Sequence, residues 1–135
     1  MNDTVRAVMA VITGVFLWGM FWNLGNAGAA ALFPDQLAGV ERIEAPGLLL
    51  MLVAYSILLS VGTGWLAALI GKGAGATAVL VLGVVNLAIG IAVQTAYWEM
   101  MPVWYHLLFL ACVLPATLVG GRLHGFPPPA SPEPE

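Results

Sequence analysis

Between Glu44 and Glu99 the chain carries a single charged residue, Lys72. The windows on either side of it, 45–71 and 73–98, are each long enough to cross a bilayer core of roughly 30 Å as a helix. A soluble domain cannot hide two such segments, because too little polar surface remains to face water. The stretch therefore predicts two membrane spans joined by a short turn.

Two further apolar windows, one near the N-terminus and one before Arg122, satisfy the same hydropathy rule. The predicted spans are about 5–24, 47–70, 75–98 and 102–121. We therefore predict an all-α fold, an integral membrane four-helix bundle, in one domain of residues 1–124 with an outer loop at 25–46. Residues 125–135 are rich in Pro and Glu and predict a disordered tail.

Composition narrows the classes of function. With 61% hydrophobic and 8% charged residues, the chain lies far from the roughly 25% charged residues of soluble domains. A formal net charge of −3 without a basic patch argues against nucleic acid as a partner. The single cysteine, Cys112, excludes an intrachain disulfide and a cysteine-rich metal site. Motifs of serine hydrolases, zinc peptidases and P-loop enzymes do not occur in the sequence, so we expect no enzyme, no metal and no cofactor.

The few charges predict the orientation of the chain. Arg6, Lys72 and Arg122 fall on one side of the predicted spans, and basic residues near span ends stay preferentially in the cytoplasm. The opposite side receives mostly acidic residues: Asp35, Glu41, Glu44 and Glu99, with Arg42. Tight turns at 71–75 and 99–102 make consecutive helices antiparallel neighbours. We therefore expect both termini in the cytoplasm and a location in a bacterial cytoplasmic (inner) membrane.

A second interpretation of the N-terminus is a signal peptide. Arg6, the apolar run 7–22 and the small residues 26–31 have the order of a basic start, an apolar core and a cleavage site. Trp18 and Trp22 suit an anchor at the membrane interface better than the core of a signal. We therefore expect an uncleaved first span.

Small and polar residues at three- and four-residue spacing mark one face of two spans. In the second span they are Ser56, Ser60, Gly64 and Ala68, and in the third Gly83, Asn86, Gly90 and Gln94. Helices in lipid associate through close packing and interhelical hydrogen bonds, so these faces predict seams toward each other or toward a neighbouring subunit. In the alternative, Asn86 and Gln94, with Ser56 and Ser60, line a polar path for a substrate.

The first span carries Trp18 and Trp22 one turn apart, followed by Asn23. Such rings are typical of the aromatic belt at a membrane interface. The other interpretation is a binding surface for a lipid, quinone or pigment ring, with Asn23 as its polar contact.

Ionisable groups inside a membrane are candidates for function. Glu99 at the outer turn and His106 one turn into the last span could meet in the headgroup region and exchange a proton or hold a cation. In the structural alternative Glu99 is solvated, and His106 bonds a backbone carbonyl or Tyr105.

The stretches 102–106, with its aromatic pair after a proline, and 115–123, with its Gly-Gly-Arg end, resemble the last span of small four-helix bacterial membrane proteins. The resemblance covers the final three spans and implies no activity. Length and span count are also similar to those of small multidrug exporters and small lipid-linked-sugar flippases. The exporters use a glutamate in their first span, and residues 7–22 contain no carboxylate.

Two functions of different class follow. The first is a non-enzymatic accessory or structural subunit that packs against another membrane protein or against lipid. The second is a small transporter or flippase that works as a homo-oligomer, with Asn86, Gln94 and Glu99 along its path. A lipid-modifying enzyme, carried by Glu99 and His106, is a third interpretation. The expected partners are the lipid bilayer and other membrane subunits or further copies of the chain.

Overall fold

The computed structural model of the protein describes residues 1–126, and every element within that range is helical. The α-helices are α1 (Asp3–Leu32), α2 (Pro34–Leu37), α3 (Pro46–Gly71), α4 (Gly75–Ala96) and α5 (Val103–His124). Short 3₁₀ turns occupy Lys72–Ala74 and Trp98–Met100. The prediction of a disordered tail at 125–135 lies, from residue 127 onward, outside the described residues.

Within residues 1–126, three helical segments are long and apolar enough to cross a membrane: Asp3–Leu32, Pro46–Ala96 and Val103–His124. The second has 51 residues and is divided into α3 and α4 by the turn at Lys72–Ala74. Lys72 adopts a positive φ of 49°, which ends α3. The prediction of an all-α fold with apolar helices of membrane length is confirmed for the described residues.

The first helix is longer than predicted. The span was expected to end near residue 24 and to be followed by a loop at 25–46, yet α1 continues to Leu32. Residues 27–31 are four alanines and one glycine, and alanine is the best helix former. The helix ends at Phe33 because a residue before proline disfavours the α conformation, and Pro34 follows. The loop is therefore 33–45.

The helix α5 lies against both α3 and α4. On α3, Gly64 packs against the backbone of Thr117, and a Cβ added at Gly120 of α5 would meet the carbonyl oxygen of Val61. On α4, Gly83 packs against the side chain of Leu114 in α5. Gly64 of the second span's small-residue face and Gly83 of the third span's therefore both contact α5, and Gly120 of α5 completes the close approach to α3.

Two buried clusters divide the interior. The aromatic cluster contains Trp18, Ala29, Leu49, Leu52, Val53, Tyr105, Phe109 and Val113. The alanine cluster contains Ala10, Ala67, Ala68, Ala78, Val79 and Leu82. Below, the end of the molecule that holds 33–45 and 97–102 is the loop end, and the end that holds Lys72–Ala74 is the turn end. At the turn end Gly73 lies beside Asp3, and the His124 ring packs on Trp65 at 5.4 Å.

Candidate functional site

A cavity of about 410 Å³ lies at the loop end between α1, α4 and α5, and we call it the loop-end cavity. Its polar and aromatic lining consists of Trp22, Asn23, Asn26, Gln94, Tyr97 and Tyr105. Its apolar lining consists of Leu37, Ile43, Leu52, Val93, Met100 and Met101. Among the residues that the structure describes, none of those lining it is Asp, Glu, Lys, Arg or His. The site is amphipathic and uncharged.

The loop 33–45 closes the cavity at the loop end. The backbone N–H of Ile43 donates a hydrogen bond of 2.7 Å to the carbonyl oxygen of Met100, which ties the loop to the turn before α5. Arg42 and Glu44 form an exposed ion pair of 2.8 Å beside it. Ile43 and Met100 both line the cavity, so this backbone hydrogen bond fixes the loop and the turn before α5 relative to each other at the cavity wall.

The exposed part of the lining belongs to α1 and to the end of α4. Asn23 of α1, Val93 of α4 and Tyr97, which directly follows α4, are exposed. Leu52 and Tyr105, on α3 and α5, are buried. A molecule that enters the cavity would therefore pass the exposed side chains of α1 and of the end of α4.

Two asparagines of α1 have side-chain oxygens that make no hydrogen bond with the residues that the structure describes. Asn23 Nδ2 donates to the carbonyl oxygen of Gly19, and Asn26 Nδ2 donates to that of Trp22, each at 2.8 Å. A backbone carbonyl only accepts, so the donor must be the amide nitrogen, and the orientation of both amides is determined. Each Oδ1 atom is therefore a hydrogen-bond acceptor with a defined direction.

A buried chain of hydrogen bonds holds Gln94 from behind. His106 Nδ1 lies 2.5 Å from Gln94 Oε1, and His106 Nε2 lies 3.1 Å from the carbonyl oxygen of Trp98. The bond to the carbonyl requires an N–H on Nε2. The Gln94 side chain is therefore held at the wall of the loop-end cavity by its contact with His106. The Trp98 and His106 rings stack, with their centroids 4.6 Å apart and an angle of 14° between the ring planes.

The tryptophans of α1 pack inside the fold. Trp18 is buried, stacks on Trp22 at 5.4 Å, and donates from Nε1 to Ser60 Oγ at 3.0 Å. Trp22 stacks in turn on Tyr55 at 6.1 Å, whose ring fits over Gly25. Trp18 is therefore a core residue and not part of a lipid-facing belt. Only Trp22 of the pair reaches the loop-end cavity.

The remaining predicted residues lie apart from the cavity. Ser56 donates to the carbonyl oxygen of Val53 in its own helix. Asn86 is buried on α4, and its Nδ2 atom has no hydrogen-bond partner among the residues described. Glu99 is exposed, and the partners of His106 described above do not include it.

The sequence pointed to three lining residues in advance, Trp22, Asn23 and Gln94, and missed the others as a site. Asn26 carried a usable signal, because it follows Trp22 by one helical turn. The contributions of Tyr97, Tyr105 and the loop residues depend on how α4, α5 and the loop meet. No sequence pattern marks them.

The groups that line the cavity are suited to binding a ligand through hydrogen bonds and apolar contacts. Amide and phenol groups accept and donate hydrogen bonds, and the apolar side chains and Trp22 supply dispersion contacts. Within residues 1–126 no group of three His, Cys, Asp or Glu residues is placed to hold a metal ion.

Comparison with family models, with curated proteins and with solved structures gives no match. The resemblance of 102–106 and 115–123 to small bacterial membrane proteins therefore stays a prediction. The length and apolar character of the helices support assignment to the class of helical membrane proteins.

Proposed function

We propose that α1, α3, α4 and α5 each cross a bacterial inner membrane as an antiparallel four-helix bundle with both termini in the cytoplasm. The positions of Arg6, Lys72 and Arg122 support this orientation. The contacts of Asp3 with the turn end and of His124 with Trp65 agree with it, because they bring the start of α1 and the end of α5 to the same end. We also propose that α1 is retained, since Trp18 belongs to the aromatic cluster.

The proposed function is that of a non-enzymatic accessory or structural subunit, which packs against another membrane protein or against lipid. The observation that carries it is a ridge on α1. Val8, Ile12, Phe16 and Met20 follow one another at four-residue spacing and are exposed. Rows of large side chains at this spacing are the ridges that fit the grooves of a neighbouring helix. The polar groups behind the ridge, such as Trp18 and Ser60, bond to each other and hold the helices in place.

The test is native mass spectrometry of the tagged protein, extracted from its host together with surrounding lipid. We expect a complex with a second membrane protein. The double variant Ile12→Ala and Phe16→Ala should lose that protein. The control Leu58→Ala changes an equally exposed leucine of α3 and should keep it. A wild-type protein that runs alone or only as a homo-oligomer would contradict the accessory role.

A small homo-oligomeric transporter or flippase is the second candidate, and the buried amide of Asn86 favours it. Asn86 and Gln94 share one face of α4 two turns apart, so polar groups occur at two depths along the helix. If they form a path, Asn86→Leu abolishes uptake of the co-purified ligand into proteoliposomes without loss of protein. Thr95→Val, at an exposed position of the same helix, is the control. Uptake that survives Asn86→Leu removes this candidate.

A further inference from the structure

We infer that the loop-end cavity binds the uncharged, hydroxyl-bearing head group of an amphipathic molecule that enters from the bilayer. The inference uses the proposed membrane location but requires no partner subunit. It rests on three properties of the cavity: its lack of charge, its combination of hydrogen-bond acceptors and donors, and the exposure of its lining residues on α1 and at the end of α4.

Charge excludes the common anionic head groups. A phosphate or carboxylate entering the cavity would lose its hydration, and no Lys, Arg or His among the described lining residues replaces it. A cation would meet no carboxylate there. An uncharged ligand avoids this desolvation penalty, and the apolar lining from Leu52 to Met101 accommodates its carbon atoms.

The lining offers both acceptors and donors of hydrogen bonds. The Oδ1 atoms of Asn23 and Asn26 are directed away from the backbone, since their amide nitrogens bond carbonyl oxygens of α1. The indole N–H of Trp22 and the hydroxyl groups of Tyr97 and Tyr105 add donors to the same lining. A ligand that complements both kinds of group must donate and accept, and among uncharged groups hydroxyls do both. A carbonyl group only accepts, so it leaves the asparagine oxygens unpaired.

The exposed lining residues indicate how the ligand arrives. Asn23 on α1 and Tyr97 just after α4 are exposed, whereas the loop 33–45 is bonded to the turn before α5 at the end of the bundle. A molecule with an apolar tail can therefore keep the tail among lipid chains while its head enters the cavity. The volume of about 410 Å³ lies within the roughly 300–1,000 Å³ usual for small-molecule sites.

Two sources share this chemistry, a sugar head group and a reduced quinone ring, and matched probes separate them. The full chain is placed in phosphatidylcholine nanodiscs and titrated with dodecyl glucoside, with decylubiquinol and with decylubiquinone, each followed by native mass spectrometry. The two quinone probes share one carbon skeleton, but only the quinol has hydroxyl groups on its ring. We expect at least one hydroxyl-bearing probe to bind more tightly than decylubiquinone, and the probe that does so identifies the source.

Variants connect that binding to the cavity. Asn26→Leu removes one acceptor and should weaken binding about tenfold, as the loss of one hydrogen bond predicts. Thr95→Val removes the same kind of bond from side chain to backbone on α4, outside the cavity, and should leave binding unchanged.

Any one of three results overturns the inference. Neither hydroxyl-bearing probe binds, decylubiquinone binds as tightly as decylubiquinol and the glucoside, or Asn26→Leu binds like the wild type. Because wild-type protein supplies the first two results, the test does not depend on the folding of a variant. Absence of a partner subunit leaves it unaffected.

Discussion

The two buried clusters use side chains of different size, and they leave different amounts of space between the helices. In the alanine cluster Ala67 and Ala78 are fully buried, and the nearby glycines let α3 and α5 approach to backbone contact. In the aromatic cluster Trp18, Tyr105 and Phe109 separate the helices, and the loop-end cavity lies beside them. Small residues thus give close packing, whereas large rigid rings leave gaps that they cannot fill.

The same contrast applies to hydrogen bonds. Around the aromatic cluster, side chains of different helices are hydrogen-bonded: Trp18 to Ser60, and His106 to Gln94. Near the tightly packed contact of α3 and α5, Thr117 bonds the carbonyl oxygen of Val113 in its own helix. Backbone contact and interhelical bonds are therefore two separate ways of joining these helices, and variants can weaken each without the other.

The largest effect is expected at the close contact. Gly64→Ala places a Cβ against the backbone of Thr117, which cannot move aside as a side chain can. We expect a loss of about 3 kcal/mol in the free energy of unfolding, the upper part of the range for overpacking. Titration with SDS from mild micelles measures it. Gly62→Ala, on the same helix with open space around the new methyl group, should be neutral or slightly stabilising. Equal stability of the two variants would contradict the close contact.

The next effect concerns the buried chain behind the cavity. Gln94→Leu leaves His106 Nδ1 without its partner, and an unsatisfied buried polar atom costs about 2 kcal/mol. Thermal unfolding in nanodiscs should show a clear decrease in midpoint. The matched control Gln36→Leu makes the same chemical change at an exposed position. If the midpoint falls no further for Gln94→Leu than for Gln36→Leu, the hydrogen bond between Gln94 and His106 does not contribute to stability.

A smaller effect distinguishes two serines one turn apart on α3. Ser60→Ala deprives the Trp18 indole of its acceptor and should cost about 1 kcal/mol, as interhelical bonds in membranes do. Ser56→Ala removes a bond within one helix, and the Val53 carbonyl can keep its backbone partner, so the change should be less than about 0.5 kcal/mol. SDS titration of both variants measures the difference. A larger loss for Ser56→Ala would reverse the comparison.

The smallest effect is expected on the cover of the cavity. Arg42→Ala breaks an ion pair whose side chains are exposed, so stability should change by less than about 0.5 kcal/mol. Thermal unfolding at low and at high salt measures it. A clear loss that disappears at high salt would show that the pair holds the loop closed.

The helical class of the fold could be predicted from the sequence because uncharged stretches of this length have few other solutions. The bounds of α3, α4 and α5 lie within three residues of the expected spans, since Pro46, Lys72 and Pro102 mark their ends. The end of α1 was wrong by eight residues. Alanine-rich segments are compatible with both helix and loop, and only the proline at residue 34 decides the end.

The candidate site was accessible to sequence reasoning only in part. Trp22 and Asn23 stand out because they are neighbours at the end of an apolar run, and Gln94 because it is polar within one. Their meeting in one cavity, together with Ile43 from the loop and Tyr105 from α5, joins residues distant in the chain. Helical periodicity gives the face of each residue on its own helix but not the helix that this face meets.

What the sequence determined by itself is the presence of long apolar helices, because hydropathy and helix length depend on local composition alone. Only the tertiary structure decided which helices the small residues contact and which partners the polar side chains bond. Gly64 and Gly83 pack against α5, Trp18 of α1 bonds Ser60, and Gln94 contacts His106 and lines the cavity. These outcomes depend on which backbones approach each other in space, and that is a property of the packed helices and not of any single segment.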